Sequence, residues 1–531
     1  MSTPARTTLI TTPTFARHSP DPWTLLADGG AGPLRPYDDR ALPYGELLAR
    51  IAGADALVAG MDPVTAEVMD AAPRLKVIAK HGVGTDTIDV AAARDRGIPV
   101  VFAPGSNSRA VAEYTFGLVL DAARRISASH TAVTEGGWPK LFGPELHGRT
   151  LGVVGFGRIG RLVAGYARAF GMSVLAHDPY VPDDAVTGAD AEPAGLDALL
   201  ARADVVTLHV PKTPETVNLI DADAIGAMVD GARLVNCARG ELVDLDALLA
   251  GLESGRVAGA ALDVFPSEPF TEHPLFERDD VVVTPHLGAS TAEAQDRAGV
   301  VTAEQVRAAL TGRVVTNAVN IAAVRPDAME ALAPFVPLCE RLGRLAQGLG
   351  GGGVDHVSIE FHGRIADHDT RLLGIAVLVG ILSGHTEVPV NLVNAPAMAE
   401  ERGIELTELS EVSSEDFTEL IKVRVGDVEV AGTGVGPRNV PYLVGVWGHS
   451  FYMPFGDHLA IFRYDDRPGM IGRVGTAFGE HGVNIVSAAV GAEASGDEAV
   501  MALTTDGPVP DEVVAEIVAG EGFFVGRGVD L

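Results

Sequence analysis

A chain of 531 residues is too long for one hydrophobic core, so roughly two to four domains are expected. With 47% hydrophobic and 21% charged residues it has the composition of a folded protein, not a disordered one. Its formal net charge of −31 argues against nucleic acid or an anionic membrane as partner, both being polyanions, yet leaves room for a small anion held by local arginines. The only cysteines, Cys237 and Cys339, offer no disulfide framework. Met1–Pro20 lacks an apolar stretch of signal-peptide length, and the longest apolar run, Leu372–Leu382, falls well short of the roughly 20 residues that span a bilayer. A cytoplasmic protein is expected.

From Thr8 to Pro104 short apolar runs (DALVAG at 55–60, LKVIAKHG at 75–82, IPVVFAP at 98–104) alternate with helical stretches, which predicts βαβ units and a parallel sheet. Ser108–Ser127 has apolar residues at helical spacing, opens on Asn107 or Ser108 as cap and ends on two arginines, so one long helix is predicted. A second βα series starts at Arg149, with strands expected at TLGVVGF, SVLAHD, VVTLHV, ARLVNCA, GAALDVF and VVVTPH. That alternation is what a doubly wound dinucleotide-binding domain needs. Thr291–Leu310 is helical again. After Asn320, a helix over Pro326–Gln347 leads into Gly348–Gly353, read as a flexible turn, and strand patterns at Val354–Phe361 and Leu420–Gly432 bracket helical stretches. From Asp457 onward the order is βαββα, close to a ferredoxin-like half-sandwich.

The stretch Leu151–Gly160 contains Gly155, Gly157 and Gly160 as G-x-G-x-x-G, after an apolar strand and at the opening of a helix. The first glycine permits the tight turn, the second lets backbone approach a pyrophosphate, and the third lets helix pack on strand. Asp178 ends the next strand, 18 residues beyond Gly160. A carboxylate there suits the ribose hydroxyls and repels the 2′-phosphate of NADP, so NAD is the expected cofactor. Three polar residues stand at or just after later strands: Arg239, Glu268 and His286. Oxidising a 2-hydroxy acid needs a base for the hydroxyl proton, a cation for the carboxylate and a group that tunes the base. Histidine suits the first, arginine the second and a neighbouring glutamate the third.

Several segments resemble the D-isomer-specific 2-hydroxyacid dehydrogenases: HGVGTDTIDV (81–90), NSRAVAEYT (107–115), GFGRIGR (155–161), HVPKTPET (209–216), NCARGELVD (236–244), ALDVFPSEP (261–269) and TPHLGAST (284–291). VNLVNAPAMAEERGI (390–404) resembles an intervening domain, and YDDRPGMIGRVGTAFGEHGVNI (464–485) an ACT domain, both found in the long phosphoglycerate-oxidising branch of that family. The resemblance implies an α/β fold: a Rossmann-like NAD-binding domain (107–294) inserted in a flavodoxin-like substrate domain (1–106 and 295–320). An α+β intervening domain (321–455) and a ferredoxin-like ACT domain (456–531) would follow. It implies NAD-dependent oxidation of D-3-phosphoglycerate to 3-phosphohydroxypyruvate, the entry to L-serine biosynthesis, with His286 as acid/base, Glu268 as its partner and Arg239 on the substrate carboxylate. Arg158, Ile159, Val210, Pro211, Cys237, Ala238, Asp263 and Gly288 would join Gly155, Gly157, Gly160 and Asp178 around the cofactor. Lys80, Gly82, Val83, Gly84, Asn107 and Ser108 would join Arg239 around the substrate.

The same resemblance implies a homo-oligomer, dimer or tetramer, and L-serine as an effector at Tyr464, Asp466 and Asn484. No metal is implied. Where the branch usually carries Arg-Ser to hold the substrate phosphate, this chain has Ala59-Gly60, so a dehydrogenase of another 2-hydroxy acid is the alternative. Lys80 could supply the missing cation. A catalytically silent NADH sensor is disfavoured by the intact Arg239, Glu268 and His286.

Overall fold

A computed structural model describes residues 6–37, 40, 42–321, 326–384, 389–413, 417–492 and 497–531. Five parallel strands form the first sheet: β1 (Arg6–Ile10), β2 (Ala31–Leu34), β3 (Ala56–Ala59), β4 (Val77–Lys80) and β5 (Val100–Val101). Their order, β2-β1-β3-β4-β5, is that of flavodoxin-like sheets. β3 and β4 are buried along their whole length, which is why they read as unbroken apolar runs instead of alternating ones.

The second sheet has seven parallel strands: β6 (Thr150–Val154), β7 (Ser173–His177), β8 (Glu192–Pro193), β9 (Val205–Leu208), β10 (Ala232–Asn236), β11 (Val257–Leu262) and β12 (Val281–Val283). The order β12-β11-β10-β9-β6-β7-β8 reverses between β6 and β9, the switch point where doubly wound sheets bind ligands. The helix Ser108–Arg124 covers this sheet. The helix Ala292–Leu310 then carries the chain back, burying Ala303, Val306 and Leu310 with Ile10, Val58 and Val77 of the first sheet. Two domains thus share two crossings, and the cleft between them is lined by strand ends.

A third, mixed sheet is ordered β14-β13-β15-β16-β17-β18. Its strands are β13 (His356–Gly363), β14 (Glu405–Glu411), β15 (Glu419–Val425), β16 (Val428–Val435), β17 (Val440–Val446) and β18 (His449–Pro454). The helices Val336–Gly350 and Arg371–Leu382 pack on it, and the apolar run at 372–382 is buried there from Leu372 to Leu382 apart from half-buried Ile375. None of the described helices is long and apolar enough to cross a membrane. The last sheet, β20-β21-β19-β22, is antiparallel: β19 (His458–Asp465), β20 (Ile485–Ala492), β21 (Glu498–Thr505) and β22 (Phe523–Asp530). Helices cover one face of it. The other face, through Leu459, Ile461, Val500 and Ala502, is continuous with the core of the third sheet.

The fold class agrees with the expectation, and four local expectations need correction. The helix expected over Ser108–Ser127 breaks at Arg125, which is left-handed at φ 54°. Asp121 causes the break by accepting from the Ser127 amide and hydroxyl, a side-chain cap that competes with the helix ladder. The Gly348–Gly353 turn begins later than read: the helix runs on to Gly350, and a Cβ at Gly348 would lie 2.8 Å from Val529, so that glycine serves close packing. Leu420–Gly432 is a hairpin, not a strand, turning at Gly426 (φ 56°) and Asp427. Finally, β22 completes the last domain beside β19; its two glycines had blurred the strand pattern.

Candidate active site

The cofactor half of the cleft starts at the loop after β6. Gly155 has φ 94°, open to glycine at no steric cost, and a Cβ there would sit 2.7 Å from the His209 carbonyl carbon. At Gly160 a Cβ would lie 2.1 Å from the Gly155 carbonyl, so helix and strand pack backbone to backbone. No atom lies within 4 Å of a Cβ built on Gly157, which caps the helix Arg158–Ala169. The helix N-terminus therefore presents open amides, as a pyrophosphate requires. Asp178 closes the same loop: its carboxylate accepts from Phe156 N at 2.8 Å and Tyr180 N at 3.0 Å. Beside it lies a depression lined by His177, Asp178, Pro179, Pro193 and Ala194. These features fit a dinucleotide with free ribose hydroxyls.

Val210 and Pro211 follow β9, next to half-buried His209, whose imidazole is pushed down to about 3 by loss of solvation and stays neutral. Ile159 packs on the core of the second sheet. Arg158 reaches over the cleft, with Nη1 3.7 Å from where a Gly105 Cβ would lie. Burial pushes the Cys237 thiol up to about 12, the nearby Thr115 hydroxyl opposing it and the Asp263 charge adding to it. Such a thiol is no nucleophile at neutral pH.

The reactive part is organised by two carboxylates. Asp263, fully buried at the end of β11, accepts from Thr284 Oγ1 at 2.6 Å, Leu287 N at 2.7 Å and Gly288 N at 2.8 Å. The Asp263 carbonyl takes the His286 amide at 2.9 Å. The loop is thereby wound around one side chain, and His286 is held at φ 56°. Glu268 accepts from the Phe265 amide at 3.1 Å through Oε1 and meets His286 Nδ1 at 2.7 Å through Oε2. His286 Nε2 has no protein partner among the described residues. Burial pushes the Glu268 carboxyl up. Hydrogen bonding to His286, the His286 charge, the Phe265 amide and the Arg239 charge together bring it below the ordinary range. Glu268 thus interacts with both other members of the expected trio, which the fold brings together.

Arg239 leaves β10 on a loop shaped by buried Asn236, whose amide donates to the Arg239 carbonyl at 2.7 Å and whose oxygen accepts from Ala238 N at 3.0 Å. From the other domain come Gly82 (φ 141°), Val83 and Gly84, on the loop after β4. Lys80, at the end of β4, is buried, donates to the Gly60 carbonyl, and is lowered to about 8 by burial, with Asp62 and Asp86 raising it and Arg239 lowering it. His81 contacts Gln295 at 3.0 Å and lies edge-on to Phe15; burial first, and the Lys80 charge next, push it down to about 4 against the Gln295 bond. Asn107 stands at the helix N-cap without a side-chain cap bond, and Ser108 begins the helix. Ala59 is fully buried, and a Cβ at Gly60 would lie 2.8 Å from Thr12 Cβ. Neither position presents a cation to the cleft.

Sequence reasoning missed Asn236, Thr284 and Asp86; the last, a charge inside a glycine-rich strand-end loop, was the readable signal. In the last domain Asp466 and Asn484 are exposed, but Tyr464 is 2% exposed and packs 5.7 Å from Phe523 in the core. Its ring offers a ligand almost no surface.

Three family profiles match the chain: the D-isomer specific 2-hydroxyacid dehydrogenase NAD binding domain at residues 116–288, the D-3-phosphoglycerate dehydrogenase intervening domain at 331–440, and the ACT domain at 458–519. The chain is 43% identical over 494 residues to a D-3-phosphoglycerate dehydrogenase of Mycobacterium tuberculosis (strain ATCC 25618 / H37Rv), covering 92% of this chain and 93% of the relative. It is 42% identical to the Methanocaldococcus jannaschii protein of the same name, covering 89% and 91%. Among solved structures, the D-lactate dehydrogenase of Aquifex aeolicus complexed with NAD and lactic acid superposes with TM-score 0.52 at 30% identity, over 59% of this chain and all but 1% of the other, 99%. A glyoxylate reductase from Paecilomyes thermophila gives TM-score 0.54 at 30% identity, over 60% and 99%.

Both cysteines are buried, Cys237 at 9% exposure and Cys339 at 0%. Thiol titration of the native protein near pH 8 is expected to label neither, and two after denaturation; stoichiometric native labelling would contradict this placement.

Proposed function

The chain belongs to the D-3-phosphoglycerate dehydrogenases among the D-isomer-specific 2-hydroxyacid dehydrogenases, and we propose how its cleft carries out the NAD-dependent oxidation of D-3-phosphoglycerate to 3-phosphohydroxypyruvate, the first step toward L-serine. Bound NAD would take the hydride leaving C2 of the substrate. His286 takes the hydroxyl proton on Nε2, and Glu268 on Nδ1 fixes the ring and offsets its new charge. Arg239 holds the carboxylate, aided by the amides of Val83 and Gly84. The glycine loop, Arg158 and Ile159 take the pyrophosphate; Asp178 takes the ribose. Asp263 sets the His286 loop from behind, while Gly288, Val210, Pro211, Cys237 and Ala238 wall the nicotinamide end. Lys80 takes the place of the missing arginine as the cation for the distal phosphate, while Gly82, Asn107 and Ser108 complete the wall on that side. The observation that carries this reading is the Glu268 carboxylate bonded to His286 at 2.7 Å within the field of Arg239.

A different 2-hydroxy acid is the second reading, favoured by the blocked Ala59-Gly60 corner. The enzyme is further inferred to act as a homo-oligomer in the cytoplasm. The helix Ile126–Thr134 has no buried residue, and Ile126, Val133, Trp138 and Phe142 are 48–88% exposed, which suits a subunit contact. L-Serine would bind at Asp466 and Asn484, with Tyr464 behind them in the core.

An NADH-oxidation assay across a panel of 2-oxo acids should give 3-phosphohydroxypyruvate the highest kcat/KM; faster turnover of pyruvate or glyoxylate would favour the second reading. His286→Ala should cut kcat by about 100- to 10,000-fold with NADH affinity near native. Asp178→Ala should relax discrimination against NADPH, and an unchanged preference would show that another residue reads the ribose.

A further inference from the structure

Arg239 does not stand alone in the cleft. It rides on the loop after β10 of the second sheet, and its Nε donates to Asp86 Oδ2 at 2.9 Å, on the loop after β4 of the first. Nη1 donates to the Ala238 carbonyl at 2.7 Å. With two of three nitrogens held from different directions, the guanidinium plane is fixed. Nη2 has no hydrogen-bond partner among the described residues. A Cβ on Gly84 would come within 2.2 Å of Nη2, so it lies against backbone that only glycine leaves open. The amides of Val83 and Gly84 likewise have no protein acceptor among the described residues. A cationic nitrogen against a glycine loop whose amides are free is a seat for one carboxylate.

We propose that Asp86 is a positioning residue for the reaction: by holding Nε of Arg239 across the cleft, it fixes Nη2 against the Gly84 loop as the seat of the substrate carboxylate. This rests on the reading of Arg239 as the carboxylate-binding residue. The seat has parts on both sheets, so it is whole only when the two loops meet. Recognition of the carboxylate is thereby tied to closure of the cleft. Asp86 brings a like charge near the bound anion, but its oxygen engages Nε, not Nη2, and the Lys80 ammonium lies within its field.

The test is steady-state reduction of 3-phosphohydroxypyruvate by the full-length enzyme carrying Asp86→Ala or Asp86→Asn, each made in the native and the Arg239→Lys backgrounds. Asp86→Ala should raise KM by about 10- to 100-fold, the span of one charge-assisted hydrogen bond, with a much smaller change in kcat. Asp86→Asn keeps an oxygen for Nε and should fall between. With lysine at 239 there is no Nε to hold, so the same substitutions should cost little more. NADH affinity, followed by fluorescence, should stay native throughout and reports folding. A lowered KM would show that Asp86 competes with substrate for Arg239. An unchanged KM, or equal losses in both backgrounds, would show a structural role; any of these overturns the proposal. If another 2-oxo acid is the one reduced, the substrate reading fails, and the same comparison on that acid still decides the role of Asp86.

Discussion

The position of one imidazole governs the cleft, and a buried carboxylate governs that position. His286 is held at φ 56°, a conformation costing a non-glycine residue roughly 1–3 kcal/mol. It persists because the loop around it is wound on Asp263, which accepts three hydrogen bonds from residues 284–288 while its carbonyl takes the His286 amide. Bonds of that charged type contribute roughly 1.5–3 kcal/mol each, enough to offset the strain. With the backbone so fixed, Glu268 needs only to meet Nδ1, and Nε2 is left open for the proposed acid–base role.

The same logic of one wall holding another runs across the cleft. Neither sheet would suffice for the proposed site: the second carries His286, Glu268 and Arg239, the first Lys80, Asp86 and the glycine loop at 82–84. The double crossing of the chain, out along the helix Ser108–Arg124 and back along Ala292–Leu310, keeps the two walls facing each other. The third and fourth sheets share one apolar core, so a ligand on the last domain would act on a single packed unit.

Much of this was legible in the sequence because the demands are local. A glycine loop between strand and helix, and strand-end polar residues, follow from the period of the apolar residues and the placement of charges. Arg239, Glu268 and His286 were named from residue type and position, and the fold brings them together. Less legible was whatever depended on a partner distant in the chain. Asp263 reads as a strand-end acid, yet its oxygens are taken up by a loop some twenty residues on. The family resemblance puts Tyr464 at an effector site, yet strand alternation turns its ring into the core. The break at Arg125 depends on a side-chain cap by Asp121 that helical periodicity does not register.

The decisive measurement is kcat/KM for 2-oxo acid reduction in Glu268→Gln, taken beside NADH affinity. The Glu268 carboxylate on Nδ1 orients the ring and balances the charge that proton transfer at Nε2 changes. Removing that charge while keeping the shape should lower kcat/KM by about 10-fold or more, with NADH affinity near native. A kcat/KM left where it was would mean that Glu268 does not act on His286, and the account of the cleft would fail.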